Sequence, residues 1–137
     1  MKRDFYSSIR VLFILSGCIH CREYAKFIET LNMKLPMEKK IKVVNVTNYY
    51  DFGIIDDPLI MVFKKYLDGG FPVLFFDSLR LDGSRDVEEL KRFMYTLVFD
   101  ELIIRDRNDY EYVKYMYTKN CKFVDKKIFG GNLVCND

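Results

Sequence analysis

The first third of the chain alternates short apolar runs with a segment of helical periodicity. The residues from Ile9 to Leu15 form a mostly apolar run bounded by polar residues, which is typical of a strand buried on both faces of a sheet. Beyond it, apolar side chains recur every three or four residues along one stripe, and this predicts a helix over about residues 19–32. Leu35-Pro36 ends that helix, and Ile41–Val46 is predicted to be a second strand. Such a strand–helix–strand unit normally joins two parallel strands.

Aspartate, proline and glycine mark the elements that follow. Thr47–Gly53 is predicted to be a loop, and Asp57-Pro58 has the residue types of a helix cap followed by a first helical position. This second helix is expected to stop at Asp68-Gly69-Gly70, with a glycine in the left-handed cap conformation. Phe71-Pro72 then opens a strand at Val73–Phe76.

A hairpin and a third helix complete the readable part of the chain. Asp77-Ser78 is predicted to turn the chain into a second short run at Leu79–Leu81, which gives two antiparallel strands. Asp86, with Glu89 three residues later, predicts the capped start of a helix whose apolar stripe ends at Val98. The order of elements predicts an α/β fold.

The domain organisation predicted from this order is one domain with an extension. Residues 1–98 form the α/β domain, and residues 99–137 are expected to pack on the same domain as a C-terminal extension. Within the extension we expect a helix rich in tyrosine around Tyr110–Tyr117. Lys127–Phe129 and Leu133–Cys135, separated by two glycines and an asparagine, are predicted to form a terminal hairpin.

Composition and charge narrow the class of protein. Half of the 137 residues are hydrophobic, with twelve Phe and ten Tyr, which is enough for one sizeable core and excludes an intrinsically disordered chain. The formal net charge of +2 is far from the one-sided excess of a large nucleic-acid footprint. No apolar run approaches the roughly 18–20 residues that span a bilayer. Neither a nucleic acid nor a membrane is therefore an expected partner.

The N-terminus resembles a bacterial lipoprotein signal. In such a signal, Cys18 would be the lipidated residue. An apolar stretch that ends in Leu15-Ser16-Gly17-Cys18 follows the basic residues Lys2, Arg3 and Arg10. The stretch is short for a signal core, Asp4 interrupts the positive region, and a second cysteine follows at once. We therefore reject the signal and expect a cytoplasmic protein.

Two cysteines separated by two residues carry the candidate chemistry. Cys18 and Cys21 stand where the first buried strand turns into a helix, which is typical of a redox dithiol. The N–H groups at a helix N-terminus stabilise a thiolate on the first cysteine, so Cys18 is the candidate nucleophile. Cys21 would resolve the mixed disulfide that Cys18 forms with a substrate. His20, if charged, would stabilise the Cys18 thiolate further and make the pair a better oxidant.

Other interpretations of these residues stay open. A Cys-x-x-Cys pair can be half of a zinc site, although Cys121 and Cys135 are not a second close pair and the one histidine lies inside the first. The sequence therefore assigns no metal ligand. His20 is equally explained as a solvent-facing residue without a catalytic role. Cys121 and Cys135 are explained as small apolar residues, or as a bridge that ties down the tail in an oxidising compartment.

The order of these motifs resembles the thioredoxin and glutaredoxin superfamily. The match consists of Cys18-Ile19-His20-Cys21, the strand-initial Pro72, and a strand that leads through Asp82–Asp86 into a helix, and it covers about residues 8–98. The resemblance implies a thioredoxin-like fold, with a central mixed β-sheet flanked by helices. In that family the proline is cis and faces the dithiol, which implies that the backbone of Phe71 docks a substrate strand.

A second segment resembles the glutathione-binding part of glutaredoxins. Asp82-Gly83-Ser84-Arg85-Asp86 stands at the place of a Gly-Gly-x-Asp-Asp segment that holds a carboxylate of glutathione. Gly83 and Asp86 agree with that pattern, and Arg85 departs from it but is able to bind a carboxylate. The resemblance thus implies Gly83, Arg85 and Asp86 as substrate-binding residues beside Phe71 and Pro72. A glycine-containing turn before a capped helix explains the same residues structurally.

Together these observations predict a thiol–disulfide oxidoreductase that acts on protein disulfides or on glutathione mixed disulfides. We expect no tightly bound cofactor, and either a reductase or glutathione to recycle the dithiol. The alternative is a thioredoxin-fold binding module, in which the tyrosine-rich tail is the interaction surface and the dithiol is structural or zinc-binding.

Overall fold

A computed structural model describes residues 9–83 and 86–116, together with the backbone of two further strands at residues 121–124 and 132–135. The fold is mixed α/β. Three 3₁₀ turns interrupt the connections, at Met37–Lys39, Lys64–Tyr66 and Phe99–Glu101. In chain order the elements are β1 (Arg10–Ile14), α1 (Ile19–Asn32), β2 (Lys42–Asn45), α2 (Thr47–Phe52), α3 (Pro58–Phe63), β3 (Val73–Phe76), β4 (Leu79–Asp82), α4 (Val87–Val98), α5 (Arg107–Met116), β5 (Cys121–Val124) and β6 (Asn132–Cys135).

Four strands form a central mixed sheet in the order β2-β1-β3-β4. β1 runs parallel to β2 and antiparallel to β3, and β3 runs antiparallel to β4. β1 and β3 are therefore the two inner strands. Their apolar runs are buried on both faces of the sheet, as the continuous pattern predicts.

Helices cover both faces of the sheet. Successive side chains of a strand point to opposite faces, so β1 and β3 each contribute to two separate apolar clusters. One cluster joins Leu12 and Leu74 to α1, α4 and α5. The other joins Phe13 and Phe75 to α3, with Tyr49 of α2 packed at its margin. The mixed sheet flanked by helices is thus confirmed.

The C-terminal part continues the core and adds a strand pair. Val113 and Met116 of α5 are buried in the cluster that α1 and α4 form. β5 pairs antiparallel with β6, so the predicted strand at Leu133–Cys135 is present. The partner predicted for this strand, Lys127–Phe129, lies outside the described residues. In the structure β6 pairs instead with β5, at Cys121–Val124.

The loop predicted at Thr47–Gly53 is wrong, because residues 47–52 form α2. The Asn45 side chain accepts a hydrogen bond from the Thr47 N–H at 2.9 Å, which turns the chain into the helix directly after β2. Gly53 ends α2 with a φ of 70°, in the left-handed region that favours glycine. The polar and glycine residues that suggested a loop are the start and stop signals of a short helix.

The left-handed glycine predicted after α3 is also wrong. Asp57 caps α3 as expected, with its carboxylate accepting a hydrogen bond from the Leu59 N–H at 2.9 Å. The helix then tightens into the 3₁₀ turn Lys64–Tyr66, whose cap hydrogen bond runs from the Leu67 N–H to the Lys64 carbonyl. Neither glycine of the Gly69-Gly70 pair takes a positive φ. A 3₁₀ ending satisfies these carbonyls without a left-handed residue.

One end of β1 carries a buried charge. Arg10 is 8% exposed, and its guanidinium forms bidentate hydrogen bonds to Asp77 at 2.8 and 3.0 Å and to Glu101 at 2.8 and 2.9 Å. It also donates to the Lys39 carbonyl at 2.8 Å and lies over the Phe76 ring. Burial alone would lower the pKa of Arg10, but the two carboxylates raise it above its ordinary value. We call this set of contacts the Arg10 clamp.

The Arg10 clamp makes stability depend on pH. Hydrogen bonds from Arg10 hold the pKa of Glu101 below its ordinary value, against the opposing effect of burial. A carboxyl whose pKa is lowered by folding adds stability above its unfolded pKa, and that stability is lost as the pH falls through the folded pKa. We therefore expect wild type to be more stable than Glu101→Gln at neutral pH, and the difference to shrink between about pH 5 and pH 2. Urea unfolding at several pH values measures the difference, and a constant value would contradict this role of Glu101.

Candidate active site

The dithiol lies at the junction of β1 and α1, as predicted. Cys18 is the N-cap residue of α1, with extended backbone angles, and Cys21 lies in the first turn of the helix. The Cys21 backbone N–H donates a hydrogen bond to the Cys18 sulfur at 3.2 Å. An N–H group directed at sulfur from a helix N-terminus stabilises the thiolate form. The half-buried Cys18 is therefore well placed to act as the nucleophile.

Cys21 has a different environment from Cys18. Its side chain is 1% exposed, and its sulfur accepts a hydrogen bond from the Leu15 N–H at 3.5 Å. Burial, together with the interaction with Cys18, raises the pKa of Cys21 to about 11, although the Leu15 N–H acts in the opposite direction. Cys21 is therefore a protonated thiol at neutral pH, shielded from reagents in solution.

The Phe71-Pro72 segment lies beside the dithiol. The peptide bond is cis and Pro72 is buried, while the Cys18 thiol lies 3.9 Å from the Phe71 carbonyl oxygen as a weak donor. Phe71 precedes β3 and is not part of the sheet ladder. Among the described residues, no backbone group hydrogen-bonds with Phe71. Its peptide groups are thus available to an extended chain that approaches Cys18.

Gly83 packs directly against this segment. A Cβ atom at Gly83 would lie 2.6 Å from Cδ of Pro72 and 3.2 Å from its backbone nitrogen. Only glycine therefore allows the end of β4 to approach Pro72 this closely. Three of the residues implied as substrate-binding, Phe71, Pro72 and Gly83, are thus in contact along the chain, and Phe71 is the one beside Cys18.

The other two implied substrate-binding residues are Asp86 and Arg85. Asp86 caps α4, with its carboxylate accepting a hydrogen bond from the Glu89 N–H at 2.8 Å. This contact agrees with the structural explanation of the segment as a capped helix start. Arg85 lies outside the described residues.

Replacing Gly83 by alanine tests the contact with Pro72. The added methyl group must displace Pro72, and such overpacking typically costs about 1–3 kcal/mol. We expect Gly83→Ala to unfold at lower urea concentration and to react more slowly with disulfides. Gly70→Ala is the matched control, since a Cβ atom there meets no atom within 4 Å and Gly70 has no positive φ. Equal stability of the two variants would show that the end of β4 shifts to accommodate the methyl group without loss of unfolding free energy.

His20 faces solvent on the first turn of α1. Its side chain is 69% exposed, and its Nδ1 lies 3.4 Å from the Glu23 carboxylate. When His20 is protonated, Glu23 offsets part of the positive charge that it brings to the helix N-terminus. The contact that the structure shows for His20 is therefore with Glu23.

Sequence reasoning missed one side chain at this site, Tyr50. The edge of its ring contacts Phe71, with the ring centroids 5.2 Å apart. α2 is also tied to the segment before the dithiol, because the Ser16 N–H donates to the Thr47 hydroxyl at 2.8 Å and the Asn45 amide donates to the Ser16 hydroxyl at 2.9 Å. Because a loop was predicted at residues 47–53, the contact between Tyr50 and Phe71 was not expected. The helix start signal at Asn45 is the sequence feature that could have indicated it.

The described residues show neither a metal-binding cluster nor a membrane-spanning helix. Within residues 9–83 and 86–116, no group of three or more His, Cys, Asp and Glu side chains is arranged to hold a metal ion. The longest described helix is α1, and none of the helices in this part of the chain is long and apolar enough to cross a membrane.

Comparison with known proteins identifies no family. No family model matches the chain, and neither a curated protein nor a solved structure matches it. The dithiol and the Phe71-Pro72 segment beside it are therefore the features of the molecule that indicate a function.

Proposed function

We propose that the protein is a thiol–disulfide oxidoreductase of thioredoxin-like fold that acts on protein disulfides. The observation that carries the proposal is the environment of Cys18, whose sulfur accepts the Cys21 N–H at 3.2 Å and lies 3.9 Å from the Phe71 carbonyl. A sulfur at a helix N-terminus is thus placed next to open backbone groups. The mixed sheet flanked by helices and the Phe71-Pro72 segment beside the dithiol support the thioredoxin-like assignment.

In the reducing direction the exchange has two steps. The Cys18 thiolate attacks one sulfur of the substrate disulfide, so that a new S–S bond forms to Cys18 while the substrate bond breaks and its other sulfur leaves as a thiolate. Cys21 then loses its proton and attacks the Cys18 sulfur, which releases the second substrate thiol. The substrate gains two electrons from the dithiol and two protons, one released by Cys21 and one taken up from solution, and the protein is left with a Cys18–Cys21 disulfide. Oxidation of a substrate dithiol is the same sequence in reverse.

The environments of the two cysteines suit these separate roles. Burial and a pKa of about 11 keep Cys21 protonated, so Cys18 is the thiol that meets the substrate first. The open peptide groups of Phe71 hold the substrate chain beside Cys18, and Pro72 and Gly83 fix the position of Phe71. We propose that glutathione or a reductase then returns the dithiol to its reduced state.

The redox equilibrium of the dithiol tests this function. Protein with Cys121→Ser and Cys135→Ser, which leaves only the dithiol, is equilibrated in glutathione buffers, and free thiols are alkylated and counted by mass. We expect one two-electron transition that is absent when Cys18→Ser is added. A midpoint near ~−270 mV would indicate a reductase and one near ~−120 mV an oxidant. Thiols that stay free or metal-bound throughout would contradict the proposal and favour the binding module or the zinc site.

A further inference from the structure

A groove lies next to Phe71, between α2 and the end of α3. It has a volume of about 440 Å³ and is lined by Tyr49, Tyr50, Gly53, Lys64, Leu67 and Asp68. We call it the Tyr50 groove. We propose that it holds an apolar side chain of the polypeptide that carries the substrate disulfide, so that the preferred substrates have an aromatic or large aliphatic residue near the reactive cysteine. This inference rests on the proposed function.

Tyr50 connects the groove to the place where the substrate reacts. Cys18 lies 3.9 Å from the Phe71 carbonyl, and the Phe71 ring contacts the Tyr50 ring with 5.2 Å between their centroids. An extended chain advances by about 3.3 Å per residue. A substrate strand held by the Phe71 backbone therefore brings a side chain two or three residues from its cysteine to the groove.

The groove is held rigidly with respect to the dithiol. The Tyr50 hydroxyl donates to the carbonyls of Leu67 and Gly69 at 3.3 and 3.4 Å, which fixes the ring between α2 and the chain that leads to Phe71. The Ser16 N–H binds the Thr47 hydroxyl and anchors the start of α2 to the segment before Cys18. A preformed apolar wall loses little entropy when it binds a side chain.

The surroundings of the groove favour an uncharged occupant. Tyr50 lines the groove and is 47% exposed, so part of this aromatic residue is open to a partner from solution. Lys64 and Asp68 line the groove with opposite charges, which leaves no net charge to attract a free carboxylate. An apolar peptide side chain therefore fits it better than the carboxylates of glutathione.

Single-turnover exchange with two peptides tests the inference. The peptides differ only in one residue, Phe or Asp, placed two positions from a cysteine that is disulfide-bonded to 2-nitro-5-thiobenzoate, whose release is followed by absorbance. The protein is pre-reduced and carries Cys121→Ser and Cys135→Ser, and glutathione disulfide is the substrate without a flanking chain. We expect the Phe peptide to react about tenfold faster than the Asp peptide, the size of one apolar pocket contact.

Two variants show whether the groove causes this preference. Tyr50→Ala should remove most of it, measured as the ratio of the Phe and Asp peptide rates within the same variant, whereas Tyr115→Ala should keep it, since Tyr115 is equally aromatic and 70% exposed but lies on α5 at the opposite face of the sheet. Lys64→Glu, a substitution of an exposed residue, should shift the preference toward a peptide with Lys in place of Phe.

The outcomes separate this inference from the proposed function. Equal rates with the Phe and Asp peptides, while exchange proceeds, would overturn the groove and leave the oxidoreductase in place. A preference that Tyr50→Ala and Lys64→Glu both leave unchanged would also overturn it. Absence of exchange with either peptide and with glutathione disulfide would overturn the proposed function and the groove together.

Discussion

Replacement of Cys21 by serine should trap the protein on its substrate. Cys18 keeps the hydrogen bond from the backbone N–H of residue 21, so we expect it to attack a disulfide as in wild type. Without the second thiol, the mixed disulfide persists until a thiol from solution attacks it. Turnover should fall by roughly two orders of magnitude or more, because a positioned intramolecular group acts at an effective concentration far above that of free thiols.

Non-reducing electrophoresis and mass spectrometry measure the trapped adduct. Cys21→Ser incubated with a disulfide-bonded peptide should accumulate one covalently attached peptide chain per protein, attached to Cys18. Cys18→Ser is the matched control, with Cys121→Ser and Cys135→Ser present in both proteins, and it should form no such adduct, since the remaining thiol, Cys21, is 1% exposed. An adduct in Cys18→Ser, or full turnover in Cys21→Ser, would mean that the roles of the two cysteines are assigned wrongly.

Replacement of Arg10 by methionine should cost about 3 kcal/mol of unfolding free energy, the lower end of the range for a buried ion pair that loses one partner. Methionine keeps most of the apolar contact of the side chain but leaves Asp77 and Glu101 without their cation. The cost is at the lower end because both carboxylates are partly exposed, at 37% and 26%, and water replaces some of the lost hydrogen bonds. Urea unfolding followed by circular dichroism measures it.

A variant at a surface ion pair provides the control for this prediction, and a triple variant tests whether the lost stability can be restored. Lys42→Met breaks the ion pair with Asp57, in which the lysine is 54% exposed, and should cost no more than about 1 kcal/mol. Asp77→Asn and Glu101→Gln added to Arg10→Met remove the unpaired charges and should restore part of the lost stability. An Arg10→Met protein as stable as Lys42→Met would show that the Arg10 clamp contributes no more than a surface pair.

The sequence predicts the elements that have strong local signals. α1 is found at the predicted residues because its apolar stripe and the break at Leu35-Pro36 agree. The turn at Asp77-Ser78 is present, and both residues take positive φ as a tight hairpin turn requires. The dithiol is at the predicted strand-to-helix junction. Each of these features can be predicted from neighbouring residues alone.

The features that depend on distant parts of the chain were not predicted. α2 is only a turn and a half long, too short to show an apolar stripe, and it is held by Ser16 across 31 positions of sequence. The need for glycine at position 83 comes from Pro72, which no local pattern reveals. In the sequence Arg10 is a basic residue before an apolar stretch, and only tertiary structure brings Asp77 and Glu101 to it.

The two ends of β1 adjoin different features of the molecule. The strand is five residues long, about 17 Å, with the Arg10 clamp at its start and the dithiol just beyond its end. The buried residues between them are apolar and carry no hydrogen-bonded side-chain network from one end to the other. The contribution of the Arg10 clamp to stability and the contacts of the dithiol therefore arise at opposite ends of one strand, and a substitution in the clamp can change the free energy of unfolding without altering the contacts of the dithiol.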